Sequence, residues 1–242
     1  MRHHFAGQTA PAFPLWRAAC AFVLAAIALL WADAALAHAV TLGDQGYIQE
    51  ITGVHIIPFL YLGAKHMVTG YDHILFLMGV IFFLYGLREI GIYVTLFAVG
   101  HSVTMLAGVW FNFGINSYII DAIIGFSVAY KALDNLGAFK AWFGVQPDTK
   151  LATLIFGFLH GFGLASKIID YNISHDGLLP NLIAFNVGVE IGQLLALAAI
   201  LVVMTRWRAT PSFARQAYAA NVLMIIAGFT LMGFQIAGYI VT

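Results

Sequence analysis

Charge and sulfur are both scarce in this sequence. Asp, Glu, Lys and Arg make up 9% of its 242 residues and formal net charge is zero, whereas an ordinary soluble domain carries about 25% charged residues. No basic patch is available to track a phosphate backbone and no run of like charge marks a polyanionic partner, so nucleic acid is set aside as a ligand. No GxxxxGK[ST] loop occurs, which leaves no signature of a nucleotide-driven motor. The one cysteine, Cys20, lies at the start of an apolar run over residues 18–32. If that run belongs to a cleaved leader, the mature chain has no thiol, and disulfides, thiolate metal ligands and cysteine nucleophiles all drop out.

What the sequence has in place of charge is hydrocarbon. Hydrophobic residues make up 62%, with 24 glycines and 20 phenylalanines, and mean hydropathy is +0.89. Glycine and aromatic enrichment on this scale suits membrane helices that pack closely against one another and border lipid. The reading is an all-α, polytopic membrane helix bundle. Arg2 and Arg17 precede the apolar run, and Ala35-Leu36-Ala37 supplies a small-x-small cleavage pattern, so residues 1–37 read as a signal peptide and the mature chain as starting at His38. An uncleaved first membrane helix is the alternative, although the run is short for a span of about 20 residues.

Residues 38–242 read as a single membrane domain without internal repeat. Apolar stretches over about 72–87, 92–111, 117–134, 151–169, 179–204 and 217–240 predict six transmembrane helices. The short apolar segment 53–64 contains Pro58 and is expected to lie at the interface or insert partly. Under this topology one side receives Arg88, Lys131, Lys140, Lys150, Arg206, Arg208 and Arg215, and the other only Lys65 and Lys167. The positive-inside bias therefore puts the loops 88–91, 135–150 and 205–216 in the cytoplasm, with the mature N-terminus and the C-terminus outside.

Ionisable groups inside hydrocarbon are costly, and each is by default a functional-site candidate. Here they fall in short strings. His66 and His73 are seven apart, hence on one face of a helix that continues through Gly70, and Asp72 lies beside them. Asp72 alone also reads as a first-turn carboxylate serving helix amides. His101 and Ser102 fall within the second span, with Met105 one turn on, and a lone histidine there also reads as a hydrogen-bonded core residue. Asp121 lies near the outer end of the third span, with Ser127 and Tyr130 deeper along it. His160 sits mid-span among Gly157, Gly161 and Gly163. Asn186, Glu190 and Gln193 form one polar stripe at i, i+4 and i+7, with Gly188 and Gly192 as a close-packing pair. Imidazole and carboxylate donors suit nickel, copper, cobalt, zinc or iron, not an alkali ion. The expected metal set is His66, Asp72, His73, His101, Asp121, His160 and Glu190, supported by Ser102, Asn186 and Gln193.

The strings GYDHILFL, GHSVT, FGFLHGFGLA and FNVGVEIGQL resemble those of the HupE/UreJ family of bacterial membrane proteins, over about residues 63–200. The resemblance implies a secondary metal permease or accessory protein, with nickel as the usual ion. It carries metal-handling roles onto His66, Asp72, His73, His101, His160 and Glu190. The expected function is transport of a divalent transition metal, nickel foremost, with His66, Asp72 and His73 as entry site and His160 with Glu190 as a deeper one. A non-enzymatic role is expected. An intramembrane zinc hydrolase and a metal-delivery accessory protein are the rival readings, and the partners are the ion, lipid and either a second copy or a metalloenzyme. His38 at a mature terminus would add an amine-imidazole chelate.

Overall fold

The computed structural model describes Gln49 and residues 51–170 and 176–241. The predicted signal peptide, His38 and residues 171–175 of the predicted loop Asp170–Leu178 lie outside the described residues. The long elements are all helices: α1 (Ile56–Thr69), α2 (Tyr71–Ile81), α3 (Leu87–Trp110), α4 (Ser117–Asn135), α5 (Ala138–Phe143), α6 (Thr149–Asp170), α7 (Leu178–Arg208) and α8 (Phe213–Val241). Four of them, α3, α6, α7 and α8, are long and apolar enough to cross a bilayer by length and composition, and α2 is apolar but short.

The segment expected to lie at the interface is instead a seated helix. α1 runs beside the first half of α7, where Gly63 meets the backbone of Phe185 and Val189, and Gly192 meets Ala64 and Met67. Pro58 does not interrupt it, because it falls in the first turn of α1, where a missing N–H costs no intrahelical bond. The start is pinned by Asn181, which accepts from His55 N at 2.7 Å and donates to the Gly53 carbonyl at 2.9 Å. α2 continues in the same direction, and its end reaches the far end of α7, where Arg208 donates to the carbonyls of Ile81 and Phe82. Together α1 and α2 form one discontinuous helix, broken at Gly70, which is extended at φ −71° and ψ 97°.

Three helix pairs build the bundle: α1 with α7, α3 with α6, and α4 with α8. Each is closed by glycines that bring backbones together without a side chain between them. The contacts repeat. Gly63 of α1 lies against the Phe185 carbonyl of α7, and Gly157 of α6 against the Phe97 carbonyl of α3. Gly188 of α7 lies against Leu60 and Ala64, and Gly100 of α3 against Leu154 and Phe158. In the third pair Gly125 meets the Gly228 carbonyl and the Met232 amide, while Gly228 meets the Gly125 carbonyl and the Ala129 amide. These reciprocal contacts define an inverted repeat in which α1–α2, α3 and α4 correspond to α6, α7 and α8. The first and fourth of these segments run in opposite directions, as do the other two pairs of counterparts.

The sequence carries traces of this repeat, which correct the expectation of none: Phe97-Ala98-Val99-Gly100 matches Phe185-Asn186-Val187-Gly188, Gly63 to His66 matches Gly157 to His160, and Gly125-Phe126-Ser127 matches Gly228-Phe229-Thr230. No single spacing recurs along the chain, because the segments between counterparts differ in length.

One end of the bundle carries a buried polar knot. Lys131 donates to Asp134 at 2.6 Å and to Asn135 at 2.9 Å, Asn135 donates to Gly79 and Asn221, and Thr149 and Gln146 donate to Asp134. Lys131 is thus a packed helix residue and not a loop charge. Arg88, Lys140, Lys150, Arg206, Arg208 and Arg215 remain gathered at this same end, so the asymmetry of basic residues survives its removal.

Candidate metal site

The break at Gly70 is shaped around a histidine. A Cβ at position 70 would lie 2.7 Å from His73 Nδ1, so glycine is the residue that lets the His73 ring fold back over the interruption. Asp72, in the first turn of α2, accepts from the His73 amide at 2.9 Å and stands 3.1 Å from His73 Nδ1. A carboxylate there compensates the positive pole of a helix that begins inside the bundle. Because a carboxylate can only accept, Nδ1 carries the proton and Nε2 carries the lone pair, the arrangement in which a second carboxylate orients a ligating imidazole.

Three more histidines gather round that ring from three other helices. His66 of α1 and His160 of α6 each place their ring centre 5.2 Å from that of His73, and His101 of α3 lies 6.2 Å away. All four are buried, His73 and His160 completely. His160 donates through Nδ1 to the Phe156 carbonyl at 2.7 Å, which again leaves Nε2 as the lone-pair nitrogen. His101 has no hydrogen-bond partner at either ring nitrogen among the described residues. A core histidine kept for packing satisfies its nitrogens, and His101 departs from that pattern.

Two imidazoles on one tetrahedral ion stand about 5 Å apart between ring centres, given a metal–nitrogen length of about 2.0–2.1 Å. The His66–His73 and His73–His160 separations fit that spacing, and the His73–His101 separation of 6.2 Å exceeds it. Among the described residues no group of three or more His, Cys, Asp or Glu side chains is placed so that it could hold a metal ion. The wall around the rings is apolar and aromatic, with Phe97 at 4.9 Å and Phe76 at 5.5 Å from His160 and Phe185 at 6.0 Å from His66. His66 and His160 are counterparts in the inverted repeat, so His73 lies between two equivalent residues of the two halves.

The remaining expected residues divide. Asp121 of α4 is buried beside the cluster, its carboxylate bound by Lys167 of α6 at 2.7 Å. Ser102 and Asn186 meet across α3 and α7, the amide donating at 2.8 Å, and Gln193 donates to the Val94 carbonyl. They tie the two central helices together and are not aimed at the histidines. Glu190 is not brought to the site. It is exposed on α7, on the side that also carries Val187, Ile191 and Leu194, because the turn that buries Asn186, Val189 and Gln193 points position 190 away. Lys167, counted in the sequence only among the charges that orient the chain, stands seven residues after His160 on α6, on the same helical face.

Buried imidazoles at the break of a discontinuous helix, between inverted halves of an apolar bundle, are the marks of a polytopic membrane protein with a polar site inside its bundle. The HupE / UreJ protein family matches residues 42–242, and the chain belongs to that family. No curated protein and no solved structure matches it.

Proposed function

We propose that this protein is a permease or facilitator for a divalent transition-metal ion, nickel foremost among nickel, cobalt, copper, zinc and iron, and that His66, His73, His101 and His160 receive the ion. The observation that carries this reading is the convergence of four buried histidines from four helices on the Gly70 break. In the proposed topology α1–α2, α3, α4, α6, α7 and α8 make six passes through the inner membrane, with the Arg208 end in the cytoplasm. The ion enters from the opposite end. Asp72 holds His73 in its ligating tautomer, Asp121 contributes negative charge on the entry side, and the aromatic wall keeps water from competing for the site.

An open set of neutral imidazoles supports transfer, since a carried ion has to leave as readily as it arrives. Placement between inverted halves supports it too, because rocking one half against the other exposes a central site to each side in turn. The same donors would serve a metal-delivery accessory protein, and one experiment separates the two. Purified full-length protein in proteoliposomes is offered nickel, cobalt, copper, zinc and iron ions in parallel, and internal metal is measured. Saturable accumulation of at least one ion, lost in His73→Ala, is expected. Binding of nickel without any accumulation would assign the chain to delivery instead of transport.

A further inference from the structure

Lys167 lies where a transported cation would need to pass. It sits two helical turns beyond His160 on α6, about 10 Å further along at 1.5 Å per residue, toward the end marked by Gly177. Its ammonium is fixed on Asp121 Oδ2 at 2.7 Å, with both side chains largely buried. Asp121 Oδ1 lies 3.7 Å from the position a Cβ would take at Gly163, one turn after His160, so the carboxylate occupies the level between the histidines and the lysine. The pair therefore forms one buried polar unit with the imidazoles. Of the charges in that unit, Asp72 and Asp121 are negative and Lys167 positive, leaving one net negative charge to meet a doubly positive ion.

We propose that Lys167 is a tethered counter-ion: it holds Asp121 while the histidines are empty and surrenders that carboxylate when a divalent ion arrives. This rests on the metal-permease reading above. The ion exchanges for an ammonium already in place, so Asp121 is never left buried without a cation, a state that hydrocarbon surroundings penalise heavily. When the ion departs, the lysine returns and helps to expel it, because the two cations compete for one carboxylate. Lys167 is thus a positioning residue that sets how tightly the ion is held and how fast it leaves. A lysine suits this better than an arginine, whose planar fork would clasp the carboxylate with two bonds and yield it less easily.

The test is a double-mutant cycle on the full-length protein, with nickel ion as the probe and both calorimetric binding and proteoliposome uptake as readouts. Lys167→Met should bind nickel about tenfold more tightly, the effect of removing one nearby competing charge, while maximal uptake falls because release slows. Asp121→Asn should weaken binding and raise the KM for uptake. The double variant Asp121→Asn/Lys167→Met preserves the balance of charge and so guards against simple misfolding. In it, removing the lysine should gain much less than it does beside an intact Asp121. Lys167→Arg should retain insertion but slow uptake. The proposal is overturned if Lys167→Met binds nickel no more tightly than the wild type, or if the gain is equal with and without Asp121. If the wild type neither binds nor accumulates any of the metals while correctly inserted, the permease reading itself fails and takes this proposal with it.

Discussion

At the scale of single residues, the proposed site separates groups that would touch the ion from groups that hold those groups still. His73 is the hub, and His73→Ala should abolish nickel binding measured by calorimetry in detergent. Asp72→Asn keeps the shape but loses the acceptor that fixes the His73 tautomer, so binding should weaken about ten- to a hundredfold, the usual cost of removing an orienting carboxylate. Glu190 gives the opposite expectation. It faces away from the histidines, so Glu190→Gln should leave nickel affinity within about twofold of the wild type, as for a substitution remote from the site. A loss comparable to His73→Ala would mean that α7 turns its polar stripe inward when the ion is bound.

At the scale of elements, what matters is how closely helices approach. Gly157 meets the backbone of Phe97 directly, and an added side chain must push α3 from α6. Gly157→Leu should lower stability by at least about 1–3 kcal/mol, the ordinary range for overpacking, read as the thermal midpoint of the detergent-solubilised protein. Gly233→Ala is the matched control: nothing lies within 4 Å of a Cβ there, and alanine is the better helix former by about 1 kcal/mol, so no loss is expected. The polar knot behaves differently again. Asp134→Ala leaves the Lys131 ammonium buried without its carboxylate, and a cost of about 3–5 kcal/mol follows from breaking such a pair on one side.

These elements also show how far the sequence could be read. Helical class, the apolar stretches from α3 onward and the four histidines were legible, because hydropathy reports a span directly and an imidazole in hydrocarbon demands explanation. The seating of α1 was not, since Pro58 looks like an interruption until the helix start is known to lie at Ile56. Glu190 misled for a related reason: residues at i, i+4 and i+7 share a helical face only loosely, and here Asn186 and Gln193 are buried while position 190, offset round the helix, is exposed. The Lys167–Asp121 bond joins α6 to α4, and no local pattern records such a pairing.

At the scale of the whole molecule, the gathering of six basic residues at the Arg208 end makes the proposed topology testable without any metal. Reporter fusions should place the segment containing Lys140 in the cytoplasm and Thr242 outside it; a cytoplasmic C-terminal reporter would invert the assignment. The pairing of helices has a consequence of another kind, in the order of assembly. Each of the three glycine-tight pairs joins an early helix to a late one, and none joins neighbours along the chain. When α1 to α4 have left the ribosome, α1, α3 and α4 each still lack their principal partner, and their glycine faces lie open to lipid. α1 in particular, too short to cross and interrupted at Gly70, has nothing to lie against until α7 is made. The histidine cluster is accordingly among the last features to form. A chain stalled or clipped before α7 would display the unmatched faces that membrane proteases and holding factors recognise.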